Sequence, residues 1–317
     1  MRSISTLLAG LVDYAGLFPP ATLDMAAAVR DYDLYRRGPD APTLGRFIVP
    51  VARLAEMETA VRDRFPRGGD RDPWRLSALA GAEVAADAER IARFNERHAL
   101  NATGDAAGDP GAAVIDAVEL KASRAADVER AARELPAGVD IYVEIPIAAD
   151  PRELIAAIAD AGVRGKVRTG GVTPDLFPDP EHLARFLRVC ADANVPFKAT
   201  AGLHHPVRAE YPLSYEEGCE RGTMYGFLNV FVAAAFVYDG MHAGDAERVL
   251  GERSPEAFRF DDDGVSWRGE RVGVERLAQV RRKFAISFGS CSFREPVDEM
   301  RSLYAAAAQG VSGALAS

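Results

Sequence analysis

Short apolar runs alternate with longer mixed stretches from residue 46 to residue 289. The runs fall at 46–51 (RFIVPV), 74–80 (WRLSALA), 115–122 (IDAVELKA), 139–146 (VDIYVEIP), 165–169 (GKVRT), 195–204 (VPFKATAGLH) and 284–289 (FAISFG). A further run at 227–237 (FLNVFVAAAFV) is apolar almost throughout, so its period does not separate strand from helix. Between the runs, residues 84–98, 125–135, 151–161 and 180–193 are rich in Ala, Arg, Glu and Leu and predict helices. Strands alternating with helices of this length form βαβ units on a parallel sheet. Seven or eight such units predict an α/β fold of the (β/α)8, or TIM barrel, class in a single domain spanning 1–317. An open doubly wound sheet is the competing architecture, but no GxGxxG follows the first run.

Two additions to the barrel are expected. Residues 1–42 read as an N-terminal helical extension. Within it 25–35 (MAAAVRDYDLY) follows Asp24 as N-cap and is stopped by Gly38-Pro39. The segment 13–20 (DYAGLFPP) reads as a helix-to-loop junction. Residues 258–273 read as a small β-hairpin insertion turning at Asp263-Gly264, placed on the surface. Residues 101–111 (NATGDAAGDPG) read as a loop.

Strand parity then selects residues. Side chains alternate between the two faces of a strand, and in a barrel one face points inward while the other meets the helices. If Val118 and Leu120 face the helices, Glu119 and Lys121 face in. The same rule sends Tyr142 and Glu144, then Lys166 and Arg168, then Lys198 and Thr200, to the interior. His204 follows the same parity if the strand continues that far. Buried charges need partners or a function. An ion-pair network filling the barrel without a catalytic role is one reading. The other is an active site, because the C-terminal ends of barrel strands form the active face.

Composition sharpens this choice. The 317 residues are 48% hydrophobic and 27% charged, enough for an ordinary core. A net charge of −9 argues against a general nucleic-acid binder but leaves room for a local cationic pocket. Of 38 Lys plus Arg only four are lysine: Lys121, Lys166, Lys198 and Lys283. Three of the four therefore sit on the inward parity. Counted against Glu119 and Glu144, the cations are in excess, and the surplus suits a carboxylate or phosphate. Cys190, Cys219 and Cys291 form no disulfide or CxxC pattern. With no leader or membrane-length apolar run in view, the expected setting is cytoplasmic. The expected partner is a small anionic metabolite, with neither nucleic acid nor membrane, and a homo-oligomer is open.

Lysine, unlike arginine, can lose its proton and attack a carbonyl when desolvated beside other cations. Lys198, with Lys166 and Arg168 on the next strand, is expected to have a depressed pKa. It would serve as a Schiff-base lysine or a general base, with Glu144 or Tyr142 moving protons. Arg168 with Gly170-Gly171 suggests an anion clamp and a nest of backbone N–H groups. Thr200, Asn229 and Ser290 are further candidates to line the mouth. Cys291 as a nucleophile has no histidine nearby in sequence. No cofactor is required by this reading. Lys166 and His204 join Lys198 and Glu144 as candidate catalytic residues, His204 as an acid/base. A divalent metal held by Glu119, Glu144 and His204 is the alternative, for an isomerase, epimerase or enolising lyase.

The strand pattern resembles the (β/α)8 superfamily broadly, and a lysine on the sixth apolar run, Lys198, is similar in placement to the Schiff-base lysine of class I aldolases. The resemblance implies a lyase acting on a small phosphorylated or carboxylated carbonyl compound. A non-catalytic, metabolite-binding barrel is the third reading.

Overall fold

The computed structural model describes residues 1–61, 64–67, 72–98 and 111–314, with side chains to residue 304. The expected loop at 101–111 lies outside the described residues except for Gly111. In chain order the elements are α1 (Arg2–Leu8), β1 (Val12–Tyr14), α2 (Met25–Arg37), β2 (Leu44–Pro50), α3 (Leu54–Val61), β3 (Trp74–Leu79), α4 (Val84–Arg97), β4 (Ala113–Lys121), α5 (Ala125–Glu134) and β5 (Asp140–Glu144). There follow α6 (Arg152–Asp160), β6 (Arg164–Arg168), α7 (Pro180–Asp192), β7 (Phe197–Thr200), β8 (Ala209–Pro212), β9 (Arg221–Met224), α8 (Phe227–Tyr238), α9 (Ala243–Gly251), β10 (Phe258–Phe260), β11 (Gly264–Trp267), β12 (Glu270–Gly273), α10 (Val274–Lys283), β13 (Ala285–Ser290) and α11 (Arg294–Ala314).

Eight parallel strands close into a barrel in the order β1-β13-β7-β6-β5-β4-β3-β2. The chain therefore has the (β/α)8 architecture. Seven of the apolar runs supply seven of its strands. The eighth comes from an unexpected place. Residues 12–14, read from sequence as part of a helical extension, form β1 and pair in parallel with both β13 and β2. The run at 227–237 is helix α8, and all of its residues from Phe227 to Val237 are buried. Its length suits a helix, and packing against α7, α9, α10 and β13 explains why no polar face was left to give it a period.

Three residues are too few to show an alternating pattern, and Val12, Asp13 and Tyr14 are all buried. Tertiary pairing alone makes them a strand. Asp13 faces inward, where its Oδ1 accepts the Arg46 N–H at 2.7 Å. A Cβ at Gly45 would collide with that same Oδ1, so the second strand approaches Asp13 through a residue with no side chain.

The insertion at 258–273 is a three-stranded antiparallel sheet, β10-β11-β12, rather than a single hairpin. Its second turn carries Arg268 and Gly269, both at positive φ, as a two-residue hairpin turn requires. It packs on α1, α8 and α10, and none of its residues lines the cavity at the C-terminal ends of the barrel strands. A second hairpin, β8-β9, follows β7 and does reach the cavity through Leu213 and Met224. Among the described residues, no helix is long and apolar enough to cross a membrane.

Candidate active site

The barrel interior is charged in layers. Near the starts of the strands, Arg46 contacts Asp116 at 2.5 Å and Asp140 at 3.2 Å, and Arg164 also meets Asp140. Above this lies the fully buried ring of Tyr142, with the Lys198 ammonium 5.4 Å from its centroid. Lys198 Nζ sits 2.6 Å from both Asp13 Oδ2 and Glu119 Oε1. Lys166 Nζ lies 2.8 Å from Glu119 Oε2 and 2.9 Å from Glu144 Oε2. Arg168 Nε donates to Glu144 Oε1 at 3.2 Å. Two hydroxyls finish the lower end: Ser287 donates to Asp13 Oδ2 and Ser77 to Glu119 Oε1. The result is one ribbon of alternating charge, Asp13–Lys198–Glu119–Lys166–Glu144–Arg168, rising from the buried centre to the mouth.

The electrostatics follow from that alternation. Burial by itself would push the Glu119 carboxyl up. The ammonium groups of Lys166 and Lys198 outweigh burial and hold it well below the usual carboxylate range. For Lys198 burial favours the neutral amine, but Asp13 and Glu119 outweigh it and raise the group above an ordinary lysine. This corrects the expected depressed pKa. The nearest partners of Lys198 are carboxylates, and one of them, Asp13, belongs to the strand that sequence reading missed. Burial also opposes ionisation of Glu144, and Lys166, Arg168 and Lys121 reverse it.

A cavity of about 290 Å³ opens at the C-terminal ends of the strands. Glu119, Lys166, Arg168 and Thr200 form its polar floor. Phe18, Pro19 and Pro20 after β1, Ile48, Leu79, Val172 and Leu176 form apolar walls, with Leu213 and Met224 opposite. His204 and Cys291 complete one side. Lys198 is 0% exposed and does not line this space, whereas Lys166 does. With β1 counted, Lys166 stands on the sixth barrel strand and Lys198 on the seventh. The sixth-strand placement on which the aldolase likeness rests therefore belongs to Lys166.

Other sequence candidates separate. Lys121 was expected inside, but its side chain is 74% exposed at the rim, 3.8 Å from Glu144. It ends its strand, where no barrel wall remains to enclose it. Asn229 does not face the mouth. It is buried in α8, where its amide donates to Val249 O and Glu252 O and its carbonyl accepts the Arg208 N–H. Ser290 is buried outside the cavity, and its carbonyl accepts the Ala15 N–H at 2.7 Å. Gly170 and Gly171 have no positive φ, so the alternating backbone of an anion nest is absent there. They are small because the Phe177 ring and the Leu176 side chain occupy the space a Cβ would need. The Gly170 carbonyl instead accepts from Arg168 at 3.3 Å, which aims the guanidinium.

The double histidine is brought to a helix. Ala201 and Gly202 both adopt positive φ after β7, turning the chain so that His204 and His205 approach α11. Thr169 fastens the turn by donating to Ala201 O at 2.6 Å. His204 Nδ1 lies 2.7 Å from Glu295 and His205 Nδ1 2.7 Å from Glu299, one helical turn later. His204 Nε2 lies 3.9 Å from Cys291 Sγ. Burial would lower the His204 pKa. Its contacts with Cys291 and Glu295 outweigh that and push it up to about 10. Sequence reading found the cysteine and the histidine but not their meeting, because 86 residues separate them in the chain.

The proposed metal set does not assemble. Glu119 and Glu144 are engaged by ammonium groups and His204 by Glu295. Among the described residues no three His, Cys, Asp or Glu side chains form a metal-holding group. No protein-family model matches the chain, and no curated protein matches it. The closed parallel barrel with its polar floor defines the class.

Proposed function

We propose that this barrel is a lyase of aldolase type, acting on a small carbonyl compound that carries a carboxylate or phosphate, with Lys166 as the reacting amine. One observation carries the reading. Lys166 lines the cavity floor between two carboxylates, while Lys198 beneath it is sealed and held protonated by Asp13 and Glu119.

The chemistry follows from the neighbours. An amine must be neutral to attack a carbonyl. Glu119 and Glu144 each stand within 3 Å of the Lys166 ammonium and can accept its proton. The amine then adds to the substrate carbonyl and loses water to give an iminium. The iminium draws the electrons of the bond between its alpha and beta carbons as a base takes the beta hydroxyl proton, and the departing fragment leaves as an aldehyde. The enamine left on Lys166 then takes up a proton at carbon, and water releases the carbonyl product and the free amine. Lys198 stays cationic throughout and keeps Glu119 from retaining that proton. Arg168, part exposed at the mouth, offers its remaining N–H groups to the substrate anion. The cationic groups facing the cavity are Lys166, Arg168 and His204, against Glu119 alone among the acids. That local surplus suits an anion despite the chain's net charge of −9.

Borohydride reduction in the presence of pyruvate or dihydroxyacetone phosphate tests the assignment. Peptide mapping is expected to find the reduced adduct on Lys166 and none in Lys166→Met. An adduct on Lys198, or none with either compound while both bind, refutes it.

A further inference from the structure

The lyase reading leaves unused a second reactive group in the same cavity. Cys291 follows β13, His204 follows β7, and Glu295 stands in the first turn of α11. Their order in space is Cys291 Sγ to His204 Nε2, 3.9 Å, then His204 Nδ1 to Glu295 Oε2, 2.7 Å. Tyr215 donates to the same Glu295 oxygen at 2.9 Å and its hydroxyl lies 3.8 Å from the sulfur. Cys291 and His204 both line the cavity, so the pair borders a space of small-molecule size. This is a nucleophile, a base within reach, and a carboxylate that fixes the base.

The geometry points to Cys291 as a covalent nucleophile for an acyl group, with His204 as its proton carrier and Glu295 as the residue that positions His204. The glutamate keeps Nδ1–H engaged, which leaves Nε2 directed at the sulfur. Fastening α11 to the barrel requires no thiol. His205 with Glu299 already makes the same helix contact one turn away, stacked on Tyr211, without a cysteine.

The step balances without a further oxidant or reductant. The pair holds one proton between Sγ and Nε2. With the proton on Nε2, the sulfur attacks an ester carbonyl and forms a carbon–sulfur bond. The carbon–oxygen bond of the ester breaks, and the departing alkoxide takes the proton from Nε2. Water, giving its proton to the now neutral imidazole, then attacks the thioester. A carboxylic acid leaves and the cysteine–histidine pair is restored. Contacts with Cys291 and Glu295 favour the proton on His204 before attack, and acylation of the sulfur removes the first of them, which frees the imidazole to take the proton from water.

Two probes test this, and the other cysteines serve as internal controls. Cys190 is fully buried and reports unfolding, while Cys219 is part exposed, with its thiol pKa lowered by hydrogen bonding to Ser214, and gives a demanding reference for an activated thiol that has no histidine partner. Iodoacetamide is expected to alkylate Cys291 at pH 7 at least tenfold faster than Cys219. His204→Gln should abolish that advantage and give a rate that climbs steeply with pH, while Cys190 stays protected. Glu295→Gln should reduce the advantage severalfold. With p-nitrophenyl acetate, one equivalent of p-nitrophenolate should appear in a burst, with an acetyl group mapped to Cys291. Equal alkylation of Cys291 and Cys219, rates unaltered in His204→Gln with Cys190 protected, or no acetyl on Cys291 would overturn the proposal. The acylation should persist in Lys166→Met, so the two readings fail independently.

Discussion

Replacing Lys198 with methionine removes one cation from beneath the cavity and keeps roughly its shape. The ammonium is fully buried and lies 2.6 Å from each of two carboxylates. Removing one member of a buried ion-pair network costs about 3–5 kcal/mol, because the partners stay buried without it. Here the orphans keep some donors. Asp13 retains Ser287 and the Arg46 N–H, and Glu119 retains Ser77 and Lys166. The loss should therefore sit near the lower end, about 3 kcal/mol, or a fall in Tm of about 6–9 °C for a chain of this size. The pH dependence supplies the sharper test. In the native protein Glu119 has a lowered folded pKa, so its contribution is complete above its unfolded value of 4.5 and disappears as pH falls through the lower folded one. In Lys198→Met the shielding cation is gone and one carboxylate should take up a proton in the folded state. A raised folded pKa stabilises below the unfolded value and stops doing so as pH rises through the folded one. The stability gap between the two proteins should be widest near pH 7–8 and narrow towards pH 4. Denaturant titration across that range measures it. A variant as stable as the native protein at pH 7, or a gap that widens in acid, would refute the ion-pair account of the core.

Two further outcomes follow from the site. His204 has its folded pKa raised from 6.5 to about 10, so its stabilising contribution is full below 6.5 and lost as pH rises through 10. Thermal melts of the native protein should decline between pH 7 and pH 10, and His204→Gln should flatten that decline; parallel curves would remove His204 as the cause. Gly170→Ala sets a methyl 2.8 Å from the Phe177 ring atoms Cδ1 and Cζ, and overpacking of this kind costs about 1–3 kcal/mol. Equilibrium unfolding should show that loss, and Phe177→Leu in the same chain should recover part of it; a Gly170→Ala protein of native stability would show that the ring moves freely.

The class of fold was legible because the apolar runs are strand-length and the stretches between them helix-length, a pattern set locally. Parity was legible as well wherever a strand had enough residues to alternate, so Glu119, Glu144, Lys166 and Lys198 could all be named as inward. The limits of parity are equally physical. It says which face a side chain takes, not how far up the barrel it stands. Lys121 and Lys198 share a parity, yet one is exposed at the rim and the other sealed at the centre. Asn229 was a candidate for the mouth because its run, apolar at nearly every position, has no period to separate strand from helix; the helix it forms turns Asn229 to Val249 and Glu252 instead.

The sequence by itself determined the alternation of elements and the stock of inward-facing charges, since both depend on residues close together in the chain. Tertiary structure alone decided that three residues near the N-terminus close the barrel, because a strand that short exists only through its neighbours. That closure delivers Asp13 to Lys198, and with Glu119 it raises the lysine's pKa where the sequence suggested a depressed one. The direct pairing of β13 with β7 brings Cys291 to His204, a proximity invisible to any local pattern.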